Sequence, residues 1–359
     1  MMRRLLLSLL AVFAALILAA LAVGQLIPGG EQLLYVANTS FGRSTFYLYD
    51  TARGLAPNIG PGERFLSVPA WSPDGTKLAY IAPVPPEQPG ISIFDLTTGK
   101  TTHYATADPP QDGLAWSRDG TRLAYRTNQR GSPKLAVYDL GSGESHVVNL
   151  SGASDSPPLW SPDGESLLYI SFRDGNPRLY AVAINCQQSA RGCRYNERLL
   201  LPTIITRWPL SWSLDGEQLA FIRIRREGRQ LHLLRAGCAN LLDETCPLNV
   251  LPVGETLPYA AFPAWSPDGE RIALMTSEGT QTMLKVIDLQ SGAEQALTAG
   301  LTGNDVPSWS SSGAYIAVQA YTNPWARIIV LDAASGAQRG VIESPFGAYS
   351  PLWRPGSDW

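Results

Sequence analysis

One phrase recurs along this chain, and few folds can accommodate it. Pro69-Ala70-Trp71-Ser72-Pro73-Asp74-Gly75-Thr76-Lys77-Leu78-Ala79-Tyr80 returns in altered copies that begin at Leu114, Pro158, Leu210, Pro263 and Pro307. A last fragment, Pro351-Leu352-Trp353-Arg354-Pro355-Gly356, runs out of chain. The marker tryptophans are Trp71, Trp116, Trp160, Trp212, Trp265, Trp309 and Trp353, spaced 45, 44, 52, 53, 44 and 44 residues apart. A repeat of this length built from short strands implies the blades of a propeller.

The phrase has a mechanical reading. Strand side chains alternate, so Leu78 and Tyr80 share one face of the strand after the turn, and Lys77 and Ala79 the other. Between this strand and the one ending at Trp71, Pro73 presets a turn and Asp74 can accept from nearby backbone N–H groups. Gly75 supplies the left-handed residue that closes the hairpin. One tryptophan per blade is a wedge between neighbouring sheets. The Asp-Gly pair is therefore read as a turn and not as a catalytic carboxylate.

These copies resemble the WD40-like repeat of the TolB-type propeller family, seen also in the propeller domains of prolyl oligopeptidases. The resemblance covers everything after about residue 31. It implies an all-β, seven-bladed β-propeller of four-stranded antiparallel blades. The opening elements, Gln32–Ala37 and Thr45–Asp50, lack a tryptophan strand, whereas Pro351-Leu352-Trp353 has no strands after it. The C-terminal strand is expected to complete the first blade, which would protect otherwise exposed sheet edges. In each blade, strand a ends at Trp, b follows Asp-Gly, c precedes an Asp-x-x-x-Gly turn such as Asp95–Gly99, and d follows it. The a–b and c–d turns share one end of the ring, and the b–c hairpins and d–a connections share the other.

Ahead of the propeller, Met1-Met2-Arg3-Arg4 precedes Leu5–Val23, an apolar run whose only polar member is Ser8. Arginines before such a run follow the positive-inside pattern, so the rest is expected outside the cytoplasm. The run is long enough to span a bilayer, yet Ala22-Val23-Gly24 also fits a small-x-small cleavage site. Residues 1–24 are thus expected as an N-terminal hydrophobic helix that is either a membrane anchor or a signal peptide. Residues 25–30 form a tether and 31–359 the propeller.

Composition supports a turn-rich β protein: 33 Gly and 28 Pro, with charged residues at 16%. A formal charge of −3 argues against nucleic-acid binding. The four cysteines fall in the two longest repeats as Cys186/Cys193 and Cys238/Cys246, each pair bracketing an extended c–d loop. Local disulfides 186–193 and 238–246 are expected, consistent with an oxidising compartment. A zinc site is the rival, but neither spacing is Cys-x-x-Cys.

No constellation for catalysis stands out. There is no Gly-x-Ser-x-Gly, no His-Glu-x-x-His and no phosphate loop. The histidines His103, His146 and His232 lie in different blades and are expected as strand surface residues in outer strands. No cofactor or metal is expected. The candidate surface is instead the channel mouth formed by the d–a connections: Arg64 with Phe65, Gln111 with Asp112, Asp155 with Ser156, Arg207 with Trp208, Tyr259, Asn304 with Asp305, and Tyr349. The b–c loops add Arg173, Arg225, Arg226, Arg229 and Trp325. Aromatics and arginine supply the anchors of protein interfaces.

The expectation is a monomeric, non-enzymatic binding or scaffold propeller, periplasmic or at the cell surface. The family resemblance implies an envelope protein or peptide as partner at the mouth. The extra N-terminal domain of that family has no counterpart here, which puts a translocation role in doubt. Two alternatives remain. One is a small-ligand or glycan binder using Trp208, Tyr259 and Tyr349 as stacking platforms. The other is a propeller hydrolase or lyase with Asp112, Asp155 and Asp305 as its acids.

Overall fold

The computed structural model describes residues 30–356 except 40–42, 85–87, 149, 190–191, 207–209, 239, 279–280, 302–305, 322–324 and 346. The apolar run Leu5–Val23 and most of the tether therefore lie outside the described residues, as does the expected pairing of Cys186 with Cys193. Among the described residues seven antiparallel sheets form, six of them four-stranded with strands in chain order. Blade 2 is typical: strand a is Ala70–Trp71, b is Lys77–Val84, c is Gln88–Asp95 and d is Lys100–Tyr104. Blades 3 to 7 follow it around the ring, with Trp116, Trp160, Trp212, Trp265 and Trp309 ending their a strands.

Turn chemistry explains why the chain reverses where it does. In blade 2, Asp74 Oδ1 accepts from Ser72 Oγ at 2.6 Å and from Thr76 N at 3.0 Å, while Ser72 Oγ accepts from Lys77 N at 2.9 Å. Gly75 has φ of 64°, the left-handed region where a side chain is disfavoured. Blade 7 carries Ser312 in place of the aspartate. Its hydroxyl still accepts Ala314 N at 3.1 Å, so the cap survives the loss of charge. The outer hairpins repeat the device: Asp95 Oδ1 accepts Thr97 N at 2.8 Å and Thr98 N at 3.0 Å.

Each tryptophan is more than a space-filler. Trp116 Nε1 donates to Ala70 O at 3.1 Å, Trp160 to Ala115 O at 3.0 Å and Trp212 to Trp160 O at 2.9 Å. Trp265 donates to Ser211 O and Trp309 to Ala264 O, both at 3.0 Å. Every one of these bonds crosses to the preceding blade, so the wedge is also a tie. A bonded indole also avoids the cost of burying a bare N–H. Seven buried apolar clusters fill the gaps between blades.

The ring closes as the sequence implies. Blade 1 is built from Ser44–Asp50, Gln32–Asn38 and the C-terminal Ala348–Trp353, with Leu34 opposite Leu352 and Leu33 opposite Trp353. Trp71 Nε1 donates to Leu352 O at 3.3 Å, extending the ties across the seam. Arg354 adds a clamp: its Nε donates to Gly75 O at 2.8 Å and its Nη1 to Gln32 Oε1 at 2.7 Å. This blade departs from the four-strand expectation. Its outer position is taken by residues 55–63, which pair with the sheet through isolated bridges such as Tyr47 with Asn58 and not as a continuous strand. Pro57 and Pro61 supply no N–H, so a continuous ladder cannot form there.

The Cys238–Cys246 disulfide is present, closing a loop with a sequence separation of 8 in the c–d hairpin of blade 5. Arg198 of blade 4 holds this loop against the neighbouring sheet, donating to Leu241 O at 3.0 Å and Cys246 O at 3.2 Å.

Two stability measurements follow. Trp353 is buried and stacks on Tyr315 with ring centroids 6.1 Å apart. Trp353→Ala should cost about 3–5 kcal/mol in urea unfolding, whereas Val341→Ala on an exposed outer strand should stay within about 0.5 kcal/mol. Replacing both Cys238 and Cys246 by Ala should lower stability by about 2–3 kcal/mol through the lost loop constraint. An unchanged urea midpoint would refute that contribution.

Candidate functional site

The two ends of the channel differ in chemistry. At the mouth, where b–c hairpins and d–a connections meet, a groove of about 720 Å³ is lined by Phe65, Leu66, Val68, Asp112, Pro157 and Tyr349, among others. Asp112 and Tyr349, drawn from blades 3 and 1, are thus brought to one surface, together with Phe65. Gly347 has φ of 91°, and a Cβ there would collide with the Tyr349 ring, so glycine fixes where that ring lies.

The groove is shaped by bulges in the inner strands. Three residues before the marker tryptophan, Gly113, Phe262 and Ser350 have φ of 72°, 58° and 53°. The strand register shifts at each of these places. Bulges of this kind terminate pairing and re-aim side chains. Glycine adopts the conformation freely, whereas Phe262 holds it against steric preference. Ser350 N is held by Gln319 Oε1 at 2.9 Å.

The remaining expected residues divide. Arg64 is exposed at the mouth. Asp112 forms an ion pair with Arg126, whose Nε donates to Asp112 Oδ1 at 2.8 Å. Asp155 Oδ2 accepts Phe172 N at 2.7 Å, which ties a connection to a hairpin. Tyr259 lies under the Arg229 guanidinium, 4.6 Å from ring centroid to Cζ, and burial raises its hydroxyl above the ordinary value. Arg207, Trp208, Asn304 and Asp305 fall outside the described residues. Of the hairpin arginines, Arg173 is engaged by Glu197 at 3.0 Å and by the Tyr180 ring at 3.5 Å. Arg225 pairs with Glu227 at 3.7 Å, and Arg226 is exposed.

Sequence reasoning missed how apolar this end is. Of eleven exposed large hydrophobic residues among the described ones, seven belong to the mouth end: Leu66, Val68, Ile204, Ile224, Val306, Tyr321 and Trp325. Val68 is 58%, Tyr321 50% and Trp325 44% exposed. The other four, Leu55, Leu199, Leu251 and Val341, lie on the outer positions of their blades. The signal was present in the sequence as apolar residues interrupting polar connectors.

At the opposite end, where the Trp-Ser-x-Asp-Gly turns converge, the channel widens into a funnel of about 550 Å³. All seven marker tryptophans line it, with the residues just after them forming a collar. Hydrogen bonding by the Ser117 hydroxyl lowers the turn carboxylate Asp119 to about 2. Among the described residues, no three His, Cys, Asp or Glu side chains gather as a metal-binding group would.

One expectation is corrected. His232 is not a surface residue of an outer strand. It sits in strand c of blade 5 and is 1% exposed, with its ring 5.6 Å from that of Phe221. Burial, reinforced by the nearby Arg225 and Arg223 charges, pushes its pKa below the ordinary 6.5. The unfolded chain therefore binds a proton near 6.5 that the folded chain refuses until a lower pH. Its contribution is fully present above that value and is lost as pH falls through the window beneath it. Urea midpoints should drop between about pH 7.5 and about pH 5.5, and His232→Phe should reduce that drop. An equal drop in both proteins would exclude His232 as its source.

Among solved structures, TolB of Acinetobacter baumannii matches with a TM-score of 0.57 over 92% of this chain and 68% of its own, at 18% identity. The periplasmic gluconolactonase of Pseudomonas aeruginosa gives 0.61 over 91% and 99%, at 16% identity. Oligogalacturonate lyase of Vibrio parahaemolyticus gives 0.64 over 84% and 86%, at 14% identity. Likeness at these identities is one of fold alone. No curated protein matches the sequence. The family model described as "TolB beta propeller domain" matches residues 30–246, more than half the chain. Together with the seven blades of the ring, six of whose wedges are tied to the preceding blade, that match means the chain belongs to the TolB β-propeller domain family.

Proposed function

We propose that this protein is a non-enzymatic, extracytoplasmic binding propeller that takes a protein or peptide partner on its channel-mouth face. The observation that carries the reading is the gathering of exposed apolar side chains around the mouth groove. Exposed apolar surface of this kind is a candidate docking site, and Leu66 and Val68 lie in the groove itself. Here it is interleaved with Arg64, Arg226 and the Arg229–Tyr259 pair, residue types that anchor interfaces. Of the three acids named for a lyase, Asp112 is engaged by Arg126 and Asp155 by a backbone N–H, and Asp305 lies outside the described residues.

Location outside the cytoplasm is supported by the Cys238–Cys246 disulfide and by the Arg3-Arg4 pair ahead of the apolar run. The path of the chain suits such a role. It enters the propeller at the turn end, where Glu31 Oε1 accepts Ser312 N at 2.7 Å. A segment anchored in the membrane through residues 5–23 would leave the mouth facing away from its attachment.

A photo-cross-linking residue at Val68 should capture a specific partner from envelope extracts, whereas one at Leu251, exposed on an outer strand, should not. Val68→Asp combined with Trp325→Asp should weaken that capture at least about tenfold, as expected when buried apolar contacts give way to charge. Equal capture by both cross-linking positions, or by the double variant, would remove the mouth from consideration.

A further inference from the structure

The funnel at the turn end has a chemistry that the mouth does not use. Its floor is the ring of tryptophans, and six of their indole N–H groups already donate to backbone carbonyls. The floor thus offers ring surface and few hydrogen bonds, which disfavours a sugar. Its collar is set by the second residue after each tryptophan. That residue is proline in four blades, at Pro73, Pro162, Pro267 and Pro355, and it also lines the cavity as Leu214 and Ser311. Prolines have no N–H and one fixed dihedral angle, so the collar is apolar and preformed.

Two departures from the repeat interrupt this apolar lining, and both introduce a guanidinium. In blade 3 the collar residue is Arg118. In the last fragment the residue after tryptophan, serine in the other six copies, is Arg354. Among the described residues these are the only charged side chains in the lining. The turn aspartates close by are directed elsewhere: Asp119 Oδ1 accepts Ser117 Oγ at 2.6 Å and Thr121 N at 3.0 Å. Asp215, near enough to feel the charge of Arg118, accepts Ser213 Oγ at 2.5 Å and Glu217 N at 2.9 Å. Arg354 is half-buried and holds Gly75 O and Gln32 Oε1, so it contributes fixed positive charge. Arg118 is exposed at the rim.

We propose that the funnel binds an amphipathic organic anion, with an apolar or aromatic body on the tryptophan floor and a carboxylate or sulfonate at the rim against Arg118. The volume of about 550 Å³ suits such a molecule, within the roughly 300–1,000 Å³ of small-molecule sites. A guanidinium at the edge of an apolar cavity pairs strongly with a planar acid group. The lining is largely preformed, so little ordering accompanies binding. This site is independent of the mouth and of whatever partner docks there.

The test is titration of the full chain with anilinonaphthalene sulfonate, read by probe emission and by quenching of tryptophan fluorescence. One site per chain is expected, with decanoate or naphthoate displacing the probe and showing whether the body is aliphatic or aromatic. Arg118→Glu should weaken binding about tenfold or more, the effect of losing one charge-assisted contact. Arg118 takes no part in the Ser117–Asp119–Gly120 turn bonds, so the variant keeps its fold. Leu214→Trp, which crowds the collar, should weaken binding as well, and Val68→Asp at the mouth should leave it unchanged. Displacement by decyltrimethylammonium as effective as by decanoate would overturn the proposal. So would unchanged affinity in both Arg118→Glu and Leu214→Trp, or weakening by Val68→Asp.

Discussion

Closure is the constraint on which everything else in this molecule depends. Leu34 pairs with Leu352, 318 positions away along the chain. Loop-closure entropy grows only with the logarithm of length, so so distant a pairing adds little to the cost of a much shorter one. What it secures is large. Leu33 and Leu34 are fully buried, Trp353 stacks on Tyr315, and Trp71 finds its acceptor at Leu352. Without the last strand, blade 1 would have two named strands and an exposed inner edge. The indole tie from Trp71 across the seam would also be lost. Arg354 makes the seam specific, since its guanidinium reads two chain segments, Gln32 and Gly75, that meet only when the ring is closed.

The fold was legible because its instructions are local and repeated. Each full copy carries its own wedge, a capping aspartate or serine and a left-handed glycine, and each device works within a few residues of itself. The same locality explains the disulfide at Cys238–Cys246. Misreadings occurred where alternation loses its meaning. His232 lies between Leu231 and Leu233 in a strand packed on both faces, so no polar side was available to it. The outer position of blade 1 was disguised by a segment with the length of a strand and the prolines of a loop. The bulges at Phe262 and Ser350 have no glycine to announce them, although Gly113 marks the equivalent place in blade 3.

The candidate sites were legible in composition more than in geometry. The d–a connections stood out as unusual, and Asp112 and Tyr349 do share a groove. Individual polar residues read as potential chemistry also make structural contacts. Asp155 caps a backbone N–H and Arg173 is held by Glu197 and Tyr180. The funnel was hidden for a different reason. Pro73 and its counterparts have an obvious task in the turn, and a residue with one sufficient explanation rarely prompts a second. Only three-dimensional convergence reveals that seven turns also make one collar.

The two ends of the ring divide labour through how their polar groups are used. At the turn end each Asp of Trp-Ser-x-Asp-Gly accepts from its own serine and backbone, so its charge is stabilised locally and offers little to a partner. Blade 7 shows that the charge is dispensable there, since Ser312 caps the turn unaided. At the mouth the backbone requirements are met by bulges and connections, which leaves apolar and arginine side chains projecting without a structural duty as strict. Sequence can change at that end with little effect on closure, whereas a change at the wedge or the turn is repeated around the ring's only load path. Relatives at 14–18% identity sharing one fold is the expected outcome of such an arrangement. It also means that the fold alone does not say what this propeller does, because one architecture carries many different surfaces.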